Sequence, residues 1–137
     1  MAEFSPVSLS VIGCFASAEA IETVSGGDQI HRLAPDEAIA IDESESALAE
    51  RLRRVDPDAV VLDTSDGWAA FALAGSDARQ AFARLSELEL PAVGFVQGDV
   101  ARVHAKVLAA AQSVTVLVPA MWGEYLQERF EEVIAAP

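Results

Sequence analysis

Apolar runs of strand length and apolar positions at helical spacing take turns along the whole chain. Val7 to Cys14 reads as a strand and Ala16 to Val24 as a short helix, followed by a turn at Ser25-Gly26-Gly27-Asp28. Ile30 to Leu33 and Ala38 to Ile41 form a strand pair joined through the turn-forming cluster Ala34-Pro35-Asp36-Glu37. Asp42 and Glu45 stand at capping-box spacing before a helix with Leu48, Leu52 and Val55 on one face, stopped by Asp56-Pro57-Asp58. Val60 to Leu62, Asp66-Gly67 and Trp68 to Ala74 then read as strand, tight turn and strand, a hairpin signal. Gly75 ends that second strand, and Ser76 or Asp77 caps a helix carrying Ala78, Ala81, Phe82 and Leu85 to about Glu87.

The remaining third obeys the same logic. Leu88 to Gly98, with Pro91 and two glycines, reads as a connection. Val100 to Leu108 alternates as a strand, with Val103, Ala105 and Val107 on one face and Arg102, His104 and Lys106 on the other. Val114 to Val118 is a buried strand, and Pro119 leads into a last helix whose inner side holds Trp122, Leu126, Phe130 and Val133.

A weak internal repeat accompanies this order. Leu48-Ala49-Glu50-Arg51-Leu52-Arg53-Arg54-Val55 returns in type as Leu126-Gln127-Glu128-Arg129-Phe130-Glu131-Glu132-Val133. Each copy closes a strand–helix–strand–strand–helix series, so the expected architecture is a single α+β domain over 1–137 with duplicated halves near 7–56 and 59–135. Strands and helices do not alternate one for one, which argues against a doubly wound parallel sheet.

Composition narrows the chemistry. A hydrophobic share of 52% rules out a largely disordered chain of 137 residues. Twenty-two acidic against nine basic residues leave a net charge of −13, which repels nucleic-acid phosphates and anionic lipid, so neither nucleic acid nor membrane is an expected partner. Cys14 is the only cysteine, so no internal disulfide or multi-cysteine metal site can form. Val11-Ile12-Gly13-Cys14 and Ala16-Ser17-Ala18 imitate export cleavage sites, but no Lys or Arg precedes Arg32, and a cytoplasmic location is expected.

No catalytic constellation stands out. Nothing near Cys14 activates a thiol for pairing with His31 or His104, and two lone histidines give no metal-ligand spacing. Gly26-Gly27 lacks the further glycines of a phosphate-cradling loop. Catalytic, cofactor-binding and metal residues are therefore expected to be none. Two features depart from an ordinary scaffold. Arg102, His104 and Lys106 gather basic groups on one strand face of an acidic protein, either as a solvated face or as a contact surface for an acidic partner. The strand from Trp68 to Ala74 is apolar on both faces and needs cover on both, which adds Trp68 to the candidate partner surface.

The runs Leu62-Asp63-Thr64-Ser65-Asp66-Gly67 and Leu73-Ala74-Gly75-Ser76-Asp77-Ala78-Arg79 resemble the gamma subunit of heterotetrameric sarcosine oxidase. Phe95-Val96-Gln97-Gly98, Leu117-Val118-Pro119, Tyr125-Leu126, Ser5-Pro6 and Arg32-Leu33-Ala34-Pro35-Asp36-Glu37 resemble it too. The resemblance implies the folate-binding-domain fold of the glycine-cleavage T-protein, a duplicated α+β domain with exchanged strands. In T-protein relatives an Asp in a turn between two strands serves folate chemistry. The corresponding turn here, Ala109-Ala110-Ala111-Gln112-Ser113, holds no carboxylate.

By the same resemblance the chain is expected to be a non-catalytic accessory subunit of a flavin- and folate-dependent N-demethylating oxidase. Its sister subunits would carry FAD, FMN, NAD and tetrahydrofolate, while this chain would bind no cofactor itself. Two other readings remain: a free-standing folate-binding enzyme of one-carbon transfer, and a stand-alone binding or homo-oligomeric module that has lost the chemistry.

Overall fold

The computed structural model describes residues 2–26 and 29–135. Among these residues the chain is a mixed α+β protein with four α-helices and two antiparallel sheets. Leu9–Ser65 form a contiguous unit, and Met1–Ser8 with Asp66–Pro137 form a split unit. The expected strand from Val7 to Cys14 is in fact two, β1 (Glu3–Val7) and β2 (Val11–Phe15), each in a different unit.

In the contiguous unit, β2 is followed by α1 (Ala18–Val24), β3 (Ile30–Ala34), β4 (Glu37–Ile41), α2 (Glu45–Arg53) and β5 (Val60–Asp63). Its sheet runs β3-β4-β2-β5. Ile12, Cys14, Ala38, Ala40 and Val61 face Ala20, Ile21, Leu48 and Leu52 of the two helices in one core. Small side chains at Cys14, Ala20, Ala38, Ala40 and Ala49 let helix and sheet approach closely, so this core is dense and holds no aromatic ring. Ser17 caps α1 through the Ala20 N–H. The cap of α2 is Ser44, whose hydroxyl accepts from Ala47, not Asp42. Asp42 instead sits at φ 55°, and its carboxylate takes the Ser10 N–H at 2.9 Å. Leu48 and Leu52 are buried as their spacing requires, but the helix ends before Val55, which is exposed. Two of the four residues in the expected turn at 25–28 lie outside the described residues.

Asp66-Gly67 does not close a hairpin. β5 pairs with β2, whereas β6 (Trp68–Ala74) pairs with β1 and β9 (Ser113–Pro119). Ser65–Gly67 form one turn of 3₁₀ helix that carries the chain from one sheet to the next. The Asp63 carboxylate, accepting both the N–H and the hydroxyl of Ser65, starts this turn.

The split unit continues from β6 with α3 (Ala78–Ala83), β7 (Gly94–Val100), β8 (Val103–Ala110), β9, a 3₁₀ turn at Ala120–Trp122 and α4 (Gly123–Ala135). Its sheet runs β1-β6-β9-β8-β7, with β1 supplied from the far side of the contiguous unit in sequence. Phe71 and Leu73 of β6 are buried with Phe82, Leu126 and Phe130, while Trp68, Ala70 and Ala72 are half-buried and Ala74 is exposed. Phe4 of β1 stacks between Phe71 and Phe130, with ring centroids 4.9 and 4.5 Å away. A stacked pair contributes about 0.5–1.5 kcal/mol beyond its area, so Phe4 ties β1 to both β6 and α4.

Three sequence expectations change in this unit. α3 ends at Ala83, short of Glu87. Asp77 holds the N-cap position but makes no side-chain cap bond. The 88–98 segment contains strand β7, because Gly98 serves close packing and does not break the strand: a Cβ there would lie 2.5 Å from the Leu88 side chain. Arg79 holds the connection before β7 by donating to the carbonyls of Pro91, Ala92 and Ala110.

Candidate functional site

The strand expected from Val100 to Leu108 is interrupted. β7 ends at Val100, a two-residue turn comes next, and β8 begins at Val103. The turn residues Ala101 and Arg102 have φ of 50° and 71°, values that Gly or Asn usually supply. With neither in the turn, the sequence carries no signal for it. Parity survives the interruption, so Val103, Ala105 and Val107 are buried as expected, and His104 is exposed. Arg102 belongs to the turn and not to the strand face assigned to it.

Two hydrogen bonds hold this turn. The Ala101 N–H donates to the Leu85 carbonyl at 2.7 Å, and the Tyr125 hydroxyl donates to the Ala101 carbonyl at 2.7 Å. Tyr125 therefore links α4 to the β7–β8 turn. Arg102, carried on that fixed backbone, is exposed and makes no hydrogen bond or ion pair with any described residue.

The same end of the sheet collects the other candidates. Trp68 starts β6 opposite Pro119, the last residue of β9, and His104 follows Val103 at the start of β8. The Lys106 ammonium donates to Gln97 Oε1 at 2.9 Å and lies 3.1 Å from His104 Nε2. An ammonium can only donate, so in this contact Nε2 of His104 is the accepting atom. Asp99 stands across from His104 on β7, so one carboxylate accompanies the basic group.

After Pro119 the 3₁₀ turn leaves Met121 81% and Trp122 43% exposed. Trp122 thus leaves the inner side of α4, where Leu126 and Phe130 are fully buried. Its ring meets Tyr125 edge to face at 5.9 Å. A cavity of about 390 Å³ lies among Arg102, Val103, His104, Pro119, Trp122 and Tyr125, and no carboxylate lines it. A second, of about 680 Å³, shares Ala101, Arg102 and Tyr125 with the first and is also lined by Arg84, Glu87, Asp99 and Arg129. Sequence reasoning misses Met121 and Tyr125 and assigns Trp122 to the core.

Elsewhere the chemistry is quiet. Cys14 is fully buried, and burial pushes its thiol up to about 11, so it stays protonated and inert at neutral pH. The Asp63 carboxyl is held below its usual range by its hydrogen bonds from Ser65, an arrangement that serves the turn. Among the described residues no group of three or more His, Cys, Asp or Glu could hold a metal ion. No helix among them is long and apolar enough to cross a membrane.

No protein-family model and no curated protein matches the sequence. Solved structures do match in fold. A chain of heterotetrameric sarcosine oxidase from Corynebacterium sp. U-96, in complex with pyrrole 2-carboxylate, superposes with a TM-score of 0.74 at 18% identity. That match covers 99% of this chain and 87% of the other. The glycine cleavage system aminomethyltransferase T from Bartonella henselae gives a TM-score of 0.68 at 13% identity, over 94% of this chain and 45% of that one. A putative C-terminal regulatory domain of aspartate kinase from Porphyromonas gingivalis comes in at 0.52 and 12% identity, with 99% of each chain covered. The fold is shared with the oxidase chain and with the aminomethyltransferase.

Proposed function

We propose that this chain is a non-catalytic, gamma-like accessory subunit of a heteromeric, sarcosine oxidase-type N-demethylating enzyme that uses flavin and folate. The observation that carries the reading is the end-to-end likeness to a chain of a sarcosine oxidase, 99% of this chain against 87% of that one. The likeness to the aminomethyltransferase spans under half of that protein, which favours the accessory reading over a free-standing folate enzyme. The β8–β9 turn, Ala111-Gln112 between Ala110 and Ser113, offers no carboxylate for folate chemistry. FAD, FMN, NAD and tetrahydrofolate belong on this reading to sister subunits in the cytoplasm, and this chain binds none of them.

The two units further support descent from one duplicated half-domain. Each runs strand, helix, two strands and helix in that relative order, with one additional strand in the split unit before its last helix. On this reading β1 is the exchanged strand, completing a sheet that β5 completes in the other half.

Co-expression with adjacently encoded oxidase subunits tests the function. A co-purifying assembly is expected; recovery of this chain only as a free species, or as a complex with itself, would remove the accessory reading. Calorimetry of the isolated chain with tetrahydrofolate and 5-formyltetrahydrofolate is expected to show no saturable heat. Binding near −8 kcal/mol, about 1 μM, would promote the folate enzyme instead.

A further inference from the structure

The sheet end around Arg102 has the residue types of an interaction anchor. Trp, Tyr and Arg dominate binding energy at interfaces, because each joins a large apolar area to a polar tip. Here Trp122, Tyr125 and Arg102 line one cavity of about 390 Å³. Met121 beside it is 81% exposed, so the apolar surface continues outward from the cavity.

The charges specify what fits. The chain carries −13, yet this cavity is lined by Arg102 and His104 and by no carboxylate. Asp99 and Glu87 line the neighbouring cavity, which shares Ala101, Arg102 and Tyr125 with this one. A broad acidic surface would be repelled by the rest of the molecule, whereas a short acidic segment can reach the Arg102 guanidinium with less of that repulsion. The backbone is prepared for this. Ala101 and Arg102 are kept in the left-handed region without glycine, and two 2.7 Å hydrogen bonds fix the turn from both sides. The guanidinium carried on this turn is unpaired with any described residue, so its donors are open to a carboxylate.

We propose that this end of the split unit docks a short acidic segment of a partner polypeptide. An apolar side chain of that segment sits against Pro119, Trp122 and Tyr125, and a flanking carboxylate sits on Arg102. The identity of the partner as an oxidase subunit rests on the accessory-subunit reading, but the chemistry of the contact does not.

The first arm of the test uses the intact chain alone. Acetyl-Glu-Glu-Leu-Glu-Glu-amide is titrated by calorimetry and by tryptophan emission. Acetyl-Gln-Gln-Leu-Gln-Gln-amide and acetyl-Glu-Glu-Gly-Glu-Glu-amide serve as probes lacking the charge or the apolar side chain. Saturable binding by the first is expected, weakened at least about tenfold in either control and by Arg102→Glu or Trp122→Ala. High salt should weaken it further. Thermal melting of both variants checks that they fold, as their exposed side chains predict. No binding, equal binding by the neutral peptide, or variants that bind like the parent would each overturn the proposal.

The second arm separates the two readings. If the chain binds the acidic peptide but no oxidase subunit, the accessory role falls and the surface stands. If the Arg102→Glu, Trp122→Ala double variant still co-purifies undiminished with oxidase subunits, the surface falls and the accessory role stands.

Discussion

The two units of this chain solve one packing problem with different side chains. The core of the contiguous unit is built from aliphatic and small residues, with Cys14, Ala20, Ala38, Ala40 and Ala49 at the contacts. The split unit instead stacks Phe4, Phe71 and Phe130 and buries Phe82 between sheet and helices. Small residues bring elements close and tolerate little added volume, while a ring stack spans a wider gap and tolerates little loss. The aromatic unit also places the exposed Trp122 ring and the half-buried Tyr125 beside a strained turn. The contiguous unit in turn leaves Phe15, Val55, Val60 and Leu62 exposed, so in both units large side chains serve the surface as well as the interior.

The strongest way to break this comparison is to remove a ring. Phe130→Ala should lower stability by about 3–5 kcal/mol in chemical denaturation, since the side chain is fully buried under Phe4. A loss below about 1 kcal/mol would mean that the stack does not hold the split unit together.

The contiguous unit can be probed through its buried thiol. Cys14 is shifted from 9.0 up to about 11 by burial, so below pH 9.0 both folded and unfolded states keep the proton and stability is complete. Above that the unfolded thiol ionises first, and stability falls until the folded thiol ionises in turn near pH 11. The full loss corresponds to about 2–3 kcal/mol. Denaturation at several pH values should show this slope in the parent and a flatter one in Cys14→Ala.

The smallest effect sharpens the contrast between two left-handed residues. Arg102→Gly relieves a positive φ that no described partner compensates, and should gain about 0.5–1 kcal/mol. Asp42→Gly relieves a similar φ but gives up the bond to the Ser10 N–H, so it should gain nothing. Equal gains at both positions would show that the Asp42 carboxylate contributes no stability.

Much of this fold is legible from periodicity. The β3–β4 pair, α1, the buried faces of β8 and β9, and Leu126 and Phe130 of α4 all agree with apolar spacing. The departures share one cause: local signals do not fix how segments pair. Asp66-Gly67 bends the chain equally well between two sheets as within one. Gly98 reads as a break because its packing partner, Leu88, lies ten residues away. Ala101-Arg102 contains no turn-forming residue, since its geometry is held by Leu85 and Tyr125. The candidate surface is half visible for the same reason. Arg102, His104 and Trp68 stand out by charge and apolar pattern, whereas Tyr125 acts across 24 residues and leaves no local trace.

The placement of β1 has a consequence for synthesis. Glu3–Val7 leave the ribosome well before their partner strand, Trp68–Ala74, which is made some sixty residues later. In between comes Leu9–Ser65, a stretch that contains all the strands and helices of its own core. The nascent chain can thus complete the contiguous unit while Glu3–Val7 wait with unpaired backbone groups and Phe4 uncovered. The five-stranded sheet closes only when β6 and then β9 emerge, so β1, though made before the whole contiguous unit, is secured after it.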